Sequence, residues 1–183
     1  MDALDAIKSR TSAASLVEPG PSPEQLETIL NAGIAAPDHG RLAPWRFVVL
    51  NGPDRQILAK AWADMRLRRT PGTSQADADK EGLKVMRAPT IVVVAARTNI
   101  PHKVPAIERV VAVGAATQNM FLAAHALGLG AMWKTGEAAY DDKIKIALGL
   151  EFTDQIIAFL YLGTVGSKGK PRESKLSDYV IKV

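Results

Sequence analysis

The pattern of apolar and polar positions divides the chain into short helices and strands, with no internal repeat. Residues 2–10 read as a short helix. Ser22 and Gln25 have the spacing of a capping box, and Pro23 suits the first helical position. The helix they open runs to about Ala35, with Leu26, Ile29, Leu30 and Ile34 as its apolar stripe. Pro37, Gly40 and Pro44 mark residues 36–44 as a loop. A strand follows over 46–50, and Pro53 opens a helix that reaches about Arg69. Residues 70–76 are small and polar, which suits a surface loop, and a polar helix then ends near Met86. Thr90 to Ala96 is rich in Ile, Val and Ala and reads as a buried strand. A long helix is expected over 108–127, then strands over 130–134 and 155–163 with a helix at about 141–148 between them. The reading is one α+β domain spanning 1–183, with an extended tail over about 164–183.

The helix over 108–127 is apolar enough to raise the question of a membrane span. Thr117, Gln118, Asn119 and His125 interrupt it, and a span needs about 20 mainly apolar residues, so a buried helix is the better reading. Ala112, Gly114, Ala115, Ala116, Ala123 and Ala124 let another backbone come close. A helix apolar around most of its circumference needs cover on most sides. One small domain supplies only part of that cover, so a second copy of the chain is the expected partner. The end of the chain, Tyr179 to Val183, has strand character and suits addition to the partner's sheet.

Composition narrows the classes. At 183 residues the chain suits a single domain on a prior of about 150 residues per domain. Hydrophobic residues are 47% and charged residues 23%, the balance of an ordinary globule. There is no cysteine, which excludes disulfides, thiolate metal sites, iron–sulfur clusters and cysteine nucleophiles. The first ten residues show no secretory signal, so a cytoplasmic location is expected. The net charge of +4 is concentrated in Lys168, Lys170, Arg172, Lys175 and Lys182, with a second cluster at Arg66, Arg68 and Arg69. Such patches suit nucleic acid, an anionic membrane or a phosphorylated small ligand. Aromatics are only 5%, poor material for stacking bases, so neither nucleic acid nor membrane is the expected partner.

Several standard sites are missing. Gly163, Gly166, Gly169 and Lys170 have the wrong spacing for a phosphate-binding loop, and Pro171 stands where the hydroxyl residue belongs. Gly128-Leu-Gly130 begins a dinucleotide-type string, but it precedes a strand instead of following one. His39, His102 and His125 are too scattered for a metal site, and no Ser sits in a nucleophile elbow. What remains is anion-binding material. Arg10-Thr11-Ser12 ends the first helix with a permanent cation and two hydroxyls, a set that can hold a phosphate. Taken alone, an ordinary helix end is the simpler reading of that trio.

Five segments in order then resemble the flavin-dependent nitroreductase family, in particular its short-chain branch of NAD(P)H nitroreductases. Arg10-Thr11-Ser12 resembles the family's Arg-Arg-Ser motif. Ala35 through Pro44-Trp45 resembles its Ala-Pro-Ser-x-x-Asn-x-Gln-Pro-Trp loop. Gln118-Asn119, then Leu127 to Trp133, resemble its Gln-Asn and Gly-Leu-Gly-x-x-Trp segments. Leu162-Gly163 with Lys170-Pro171-Arg172 resembles the closing Leu-Gly and Lys-Pro-Arg.

The resemblance implies a nitroreductase-like mixed central sheet flanked by helices, in an intertwined homodimer that binds FMN at its interface. It implies that Arg10, Thr11 and Ser12 hold the ribityl phosphate, with Arg172 as a second cation. Ala35, Pro37 and His39 would line the flavin edge from the neighbouring subunit. Ala131, Met132 and Trp133 would pack beside the ring system. Residues Phe121, Leu122, Ala123, Ala124, His125 and Ala126 would meet the nicotinamide of NAD(P)H. No metal and no catalytic side chain are implied, because hydride transfer needs no general acid. The expected activity is ping-pong reduction of nitroaromatics, quinones or similar electron-poor acceptors.

The departures are Thr11 for the second Arg, Ala14 for a later Arg, Arg41 for the loop's Asn and Ala43 for its Gln. His39 and Arg41 would take over contacts to the flavin. Two other classes stay open: a flavin-binding protein of the same fold without NAD(P)H turnover, and a basic module binding nucleic acid or anionic lipid.

Overall fold

A computed structural model describes residues 1–171 and 173–183. The helices are α1 (Ala3–Ser9), α2 (Pro23–Ile34), α3 (Arg55–Arg69), α4 (Gln75–Gly82), α5 (Ala106–Ala126) and α6 (Asp142–Ala147). The strands are β1 (Ala13–Val17), β2 (Trp45–Asn51), β3 (Thr90–Ala96), β4 (Gly130–Lys134) and β5 (Gln155–Lys168). The capping box of α2 forms as the sequence predicts: the Ser22 hydroxyl accepts from the Gln25 amide, and the Gln25 side chain accepts from the Ser22 amide.

The strands form one sheet in which β5 is the hub. Residues 159–162 of β5 pair with β3 on one side and with β4 on the other, while its far end pairs with β1. The outer neighbour of β3 is β2. Each described pairing is antiparallel, where the sequence suggested a mixed sheet. The connection from β2 to β3 explains one of these pairings. It is a helical hairpin: Gly82, at the end of α4, lies against Ala59, near the start of α3. Two antiparallel helices return the chain to the end of the sheet it left, so β3 runs back beside β2.

Helices cover both faces of the sheet, and the period-2 alternation of a strand sorts β3 between them. Ile91, Val93 and Ala95 join Leu58, Met65, Val85, Ile144 and Phe159 under α3, α4 and α6. Val92, Val94 and Ala96 join Ile29, Val113, Met120, Phe121 and Leu160 under α2 and α5. All seven residues of β3 are buried, which is why its sequence is apolar after Thr90 and says nothing about strand direction.

Helix α5 buries Ala112, Val113, Ala116, Thr117, Met120, Phe121 and Ala124 on one side. Its other side is open: Ile107 and Val111 are each 65% exposed, and a Cβ on Gly114 would meet nothing within 4 Å. Among the described residues, no helix is long and apolar enough to cross a membrane.

The basic cluster at the end of α3 is already engaged. Asp141 accepts from Arg68 at 2.9 Å and forms an ion pair with Arg69 at 3.3 Å, and it caps α6 by accepting from the Lys143 and Ile144 amides. Burial alone would push the Asp141 carboxyl up. The Ile144 amide, Arg68 and Arg69 outweigh that and hold it below the usual carboxylate range. A charged patch free for nucleic acid is therefore not what Arg68 and Arg69 form.

Candidate active site

Helix α1 stops at Ser9 because Arg10 turns extended, with ψ 125°. The Arg10 guanidinium then lies 4.5 Å over the Phe121 ring of α5. This cation–π contact fixes the start of β1 against the long helix. Thr11 and Ala13 face a cavity of about 580 Å³, within the range of small-ligand sites. The cavity is also lined by Ser9, His125, Gly130 and Lys168. Gly169 completes the closure, since a Cβ there would stand 2.1 Å from the Ser12 carbonyl oxygen. Only a glycine lets the end of β5 approach the 10–12 segment so closely.

Ser9 and His125 are 2.8 Å apart across this cavity. The Ser9 hydroxyl donates its one proton to the Asp5 carbonyl at 2.6 Å. It must then accept from His125 Nε2–H, which leaves Nδ1 as the other hydrogen-bonding position of the ring. The cavity lining holds a lysine, a histidine and two hydroxyls, and no carboxylate among the described residues. That donor set suits a phosphorylated ligand.

Helix α5 ends in a Schellman turn: Leu129 N–H reaches back to Ala124, and Gly128 takes φ 80°. This role explains the glycine that looked like part of a dinucleotide string. Strand β4 begins two residues later and pairs with β5 alone among the described strands, so its other edge is open. Ala131 is buried on the α5 side, Met132 is half-buried on the opposite face, and Trp133 is 36% exposed. The Trp133 indole donates to the Ile157 carbonyl at 3.0 Å. Lys134 ends the strand with its amine 5.4 Å over the Tyr161 ring. Burial pulls the Lys134 amine below the usual lysine range, helped by Arg87 and Lys84. Burial also pushes the Tyr161 phenol up to about 12.

The 35–44 loop lies elsewhere in the single chain. Ala35 caps α2 and lines a groove of about 440 Å³ with Leu122, Ala123 and Ala126. Pro37 and His39 line a separate groove with Glu108, Val111 and Ala115. His39 Nδ1 is 2.5 Å from Glu108 Oε2. Asp38 accepts from the Ala43 amide at 2.6 Å, and Gly40, Arg41 and Ala43 take φ values of 81°, 53° and 45°. For Arg41 and Ala43 that conformation costs on the order of 1 kcal/mol or more each, and such strain concentrates at functional sites. The Arg41 side chain is exposed.

The sequence-derived residues thus fall in three places. Thr11 and His125 meet at the first cavity, with Ser12 at its glycine closure and Arg10 beside them over Phe121. Ala131, Met132 and Trp133 stand on the open edge strand. Pro37, His39 and Arg41 belong to the loop beside the exposed side of α5. The segment 121–126 divides: Phe121 and Ala124 are core, while Leu122, Ala123 and Ala126 line the groove with Ala35. Arg172 lies outside the described residues. Ser9, Lys168, Arg87 and Lys134 join these places without having been read as site residues. Ser9 and His125 are 116 positions apart, so no spacing along the chain announces the pair.

A family model described as the Nitroreductase family matches residues 7–164. An Escherichia coli (strain K12) protein named "Putative NAD(P)H nitroreductase YdjA" is 38% identical over 164 residues, covering 90% of this chain and 88% of that protein. A Haemophilus influenzae protein of the same name without the suffix is 32% identical over 184 residues, covering 97% and 96%. Among solved structures, a nitroreductase-like family protein from Bacillus cereus superimposes with a TM-score of 0.84 at 22% identity, covering 100% of this chain and 96% of that one. A nitroreductase-type protein of Desulfovibrio desulfuricans, solved in complex with FMN, gives a TM-score of 0.77 at 28% identity, covering 98% and 95%.

Proposed function

The chain belongs to the nitroreductase family, and from that membership we propose that it is an FMN-dependent NAD(P)H oxidoreductase acting on electron-poor acceptors such as nitroaromatics and quinones. The observation that carries the proposal is the closing of α1, the start of β4 and the end of β5 on one cavity whose donors suit a phosphate. When bound, FMN supplies the two-electron acceptor and donor that no side chain provides.

Arg10 and Ser12 hold the phosphate end in this reading, with Thr11 and Lys168 lending donors from the cavity and Arg172 a further cation. Ala131, Met132 and Trp133 support the ring system along the open edge of β4. Its free N–H groups suit the polar edge of a ring where negative charge collects. Ala35, Pro37, His39 and Arg41 serve the site of a neighbouring copy, and Glu108 orients His39. The segment 121–126 meets the nicotinamide through its uncovered residues, Leu122, Ala123, His125 and Ala126.

A homodimer follows from the same reading. Ile107 and Val111 gain about 1.5–3 kcal/mol each when fully covered, and the 35–44 loop lies beside them. The tail beyond β5 reaches the partner, and the enzyme works in the cytoplasm. With no separate dinucleotide fold among the described residues, donor and acceptor use one site in turn. Double-reciprocal plots at several acceptor concentrations are then parallel, and intersecting lines refute the shared site.

A further inference from the structure

The segment 97–105 joins β3 to α5, and no role described above uses it. Both of its ends lie against the 35–44 loop. The Arg97 amide donates to the Pro44 carbonyl at 2.7 Å. A Cβ on Gly40 would stand 3.3 Å from His102 Cε1 and 3.3 Å from Val104 Cγ2. The His102 ring is fixed in turn, because its Nδ1 accepts from the Val104 amide at 3.1 Å. Val104 is buried, so Gly40 rests on a packed surface.

Arg109, on α5, ties this segment down. One terminal nitrogen of its guanidinium donates to the Thr98 carbonyl at 2.5 Å, and the other donates to the Val104 carbonyl at 2.9 Å. The residue is only 4% exposed. Among the described residues it has no ion-pair partner, and its Nε–H meets no acceptor. A buried cation without a carboxylate is costly, and an apolar side chain would fill the same space without that cost. What the guanidinium adds is a rigid fork that fixes two carbonyls from opposite ends of one segment. The residue before it, Glu108, meets His39 of the 35–44 loop. Adjacent positions of α5 thus hold that loop directly and through the 97–105 segment.

We propose that Arg109 is a positioning residue for the flavin site of a neighbouring copy. By fixing the Thr98 and Val104 carbonyls it keeps His102 and Val104 under Gly40. That seat holds Arg41 and Ala43 at their φ values of 53° and 45°. Backbone strain of this kind persists only where the surroundings over-determine it. The contacts of Asp38 with the Arg41 and Ala43 amides lie within the loop, and the 97–105 segment supplies the support from outside. As a role in flavin binding the proposal rests on the proposed function, and as a brace for the loop it rests on these contacts alone.

The first test is hydrogen exchange in the flavin-free protein, resolved at the Arg41 and Ala43 amides. Arg109→Met speeds exchange at both by about tenfold or more, while β3 stays protected. His102→Ala, a substitution of an exposed residue, has the same effect to a smaller extent. Arg109→Lys keeps the charge without the fork and restores only part of the protection. Unchanged exchange at Arg41 and Ala43 in both Arg109→Met and His102→Ala overturns the brace. If thermal melts show that Arg109→Met does not fold, His102→Ala decides by itself.

Flavin gives the second arm. Arg109→Met and His102→Ala each weaken FMN, the first by roughly tenfold. The double variant loses less than the product of the two single losses, because both act through one contact. Arg109→Met also lowers the midpoint potential of the bound flavin, because the Arg41 cation is no longer held beside the ring. Fully multiplicative losses, or an unchanged potential, overturn the role in the flavin site. If the wild-type protein binds no FMN, the proposed function fails, and the exchange measurement still decides the brace.

Discussion

The Arg10 guanidinium lies 4.5 Å over the ring of Phe121, joining the end of α1 to the middle of α5. The residue proposed to hold phosphate is thus also a structural contact. Arg10→Ala weakens FMN by roughly ten- to a hundredfold in an equilibrium titration. It also lowers the stability of the flavin-free protein by about 0.5–1 kcal/mol, from the lost cation–π contact. Phe121→Leu keeps most of the core volume and removes only the ring. It reproduces the stability loss with a smaller loss of FMN, and equal FMN loss in the two variants contradicts this division.

Gly169 is the closest approach in the site, because a Cβ would stand 2.1 Å from the Ser12 carbonyl oxygen. Backbone must move to admit alanine. Gly169→Ala destabilises the protein by about 1–3 kcal/mol in urea unfolding, and it weakens FMN because the 10–12 segment is displaced. A variant with wild-type stability and affinity shows that the closure is not required.

Asp141 carries the acid sensitivity of the α3–α6 contact. Its carboxyl is held below the usual range when folded, so it stabilises above the unfolded carboxyl pKa of about 3.9. That stability is lost as pH falls through the lower, folded value. Asp141→Asn costs about 2 kcal/mol at pH 7. The gap between wild type and variant begins to narrow below about pH 4, where Asp141 of the unfolded chain gains its proton, and closes as pH falls through the lower folded value. A gap independent of pH contradicts the assignment.

Lys134 behaves in the opposite sense. Burial and the neighbouring cations lower its pKa, so in the unbound protein its charge is unfavourable at neutral pH. Stability gained from losing that proton appears as pH rises from the folded pKa toward the unfolded one. Lys134→Met removes the charge and keeps a side chain over the Tyr161 ring. Its melting temperature at pH 7 equals or exceeds that of the wild type, and a clear decrease refutes the reading.

The open side of α5 predicts the assembly. Ile107 and Val111 are each 65% exposed in the single chain. Light scattering at micromolar concentration gives a dimer for the wild type and a monomer for Val111→Glu. A wild-type monomer removes the proposed contribution of Pro37, His39 and Arg41 to a neighbouring site.

Elements with strong local signals were legible in the sequence. The run Thr90–Ala96 matches β3 end to end, and Ser22, Pro23 and Gln25 build the cap of α2. Strand β1 was not legible. Its sequence, Ala13 to Val17, is short, and register shifts at Ser15 break its alternation. The strand was read as ending at Gly163, yet β5 continues to Lys168 because β1 pairs with it there. The motif at 10–12 was visible as a cation with hydroxyls. Its partners Phe121, Lys168 and Gly169 come from remote segments and carry no spacing signal. Arg87 and Lys134 escaped notice for the same reason, since only the sheet brings β4 beside the turn that precedes β3.

The central claim is electron transfer from a nicotinamide through flavin bound by this chain. The most direct measurement is an anaerobic titration of the flavin-loaded protein with NADH and NADPH, followed by the flavin absorbance. The account predicts that at least one of them bleaches the bound flavin stoichiometrically, and that a nitroaromatic or quinone then restores the colour. A flavin that both nicotinamides leave oxidised would contradict it, and the chain would then be a flavin-binding protein without nicotinamide turnover.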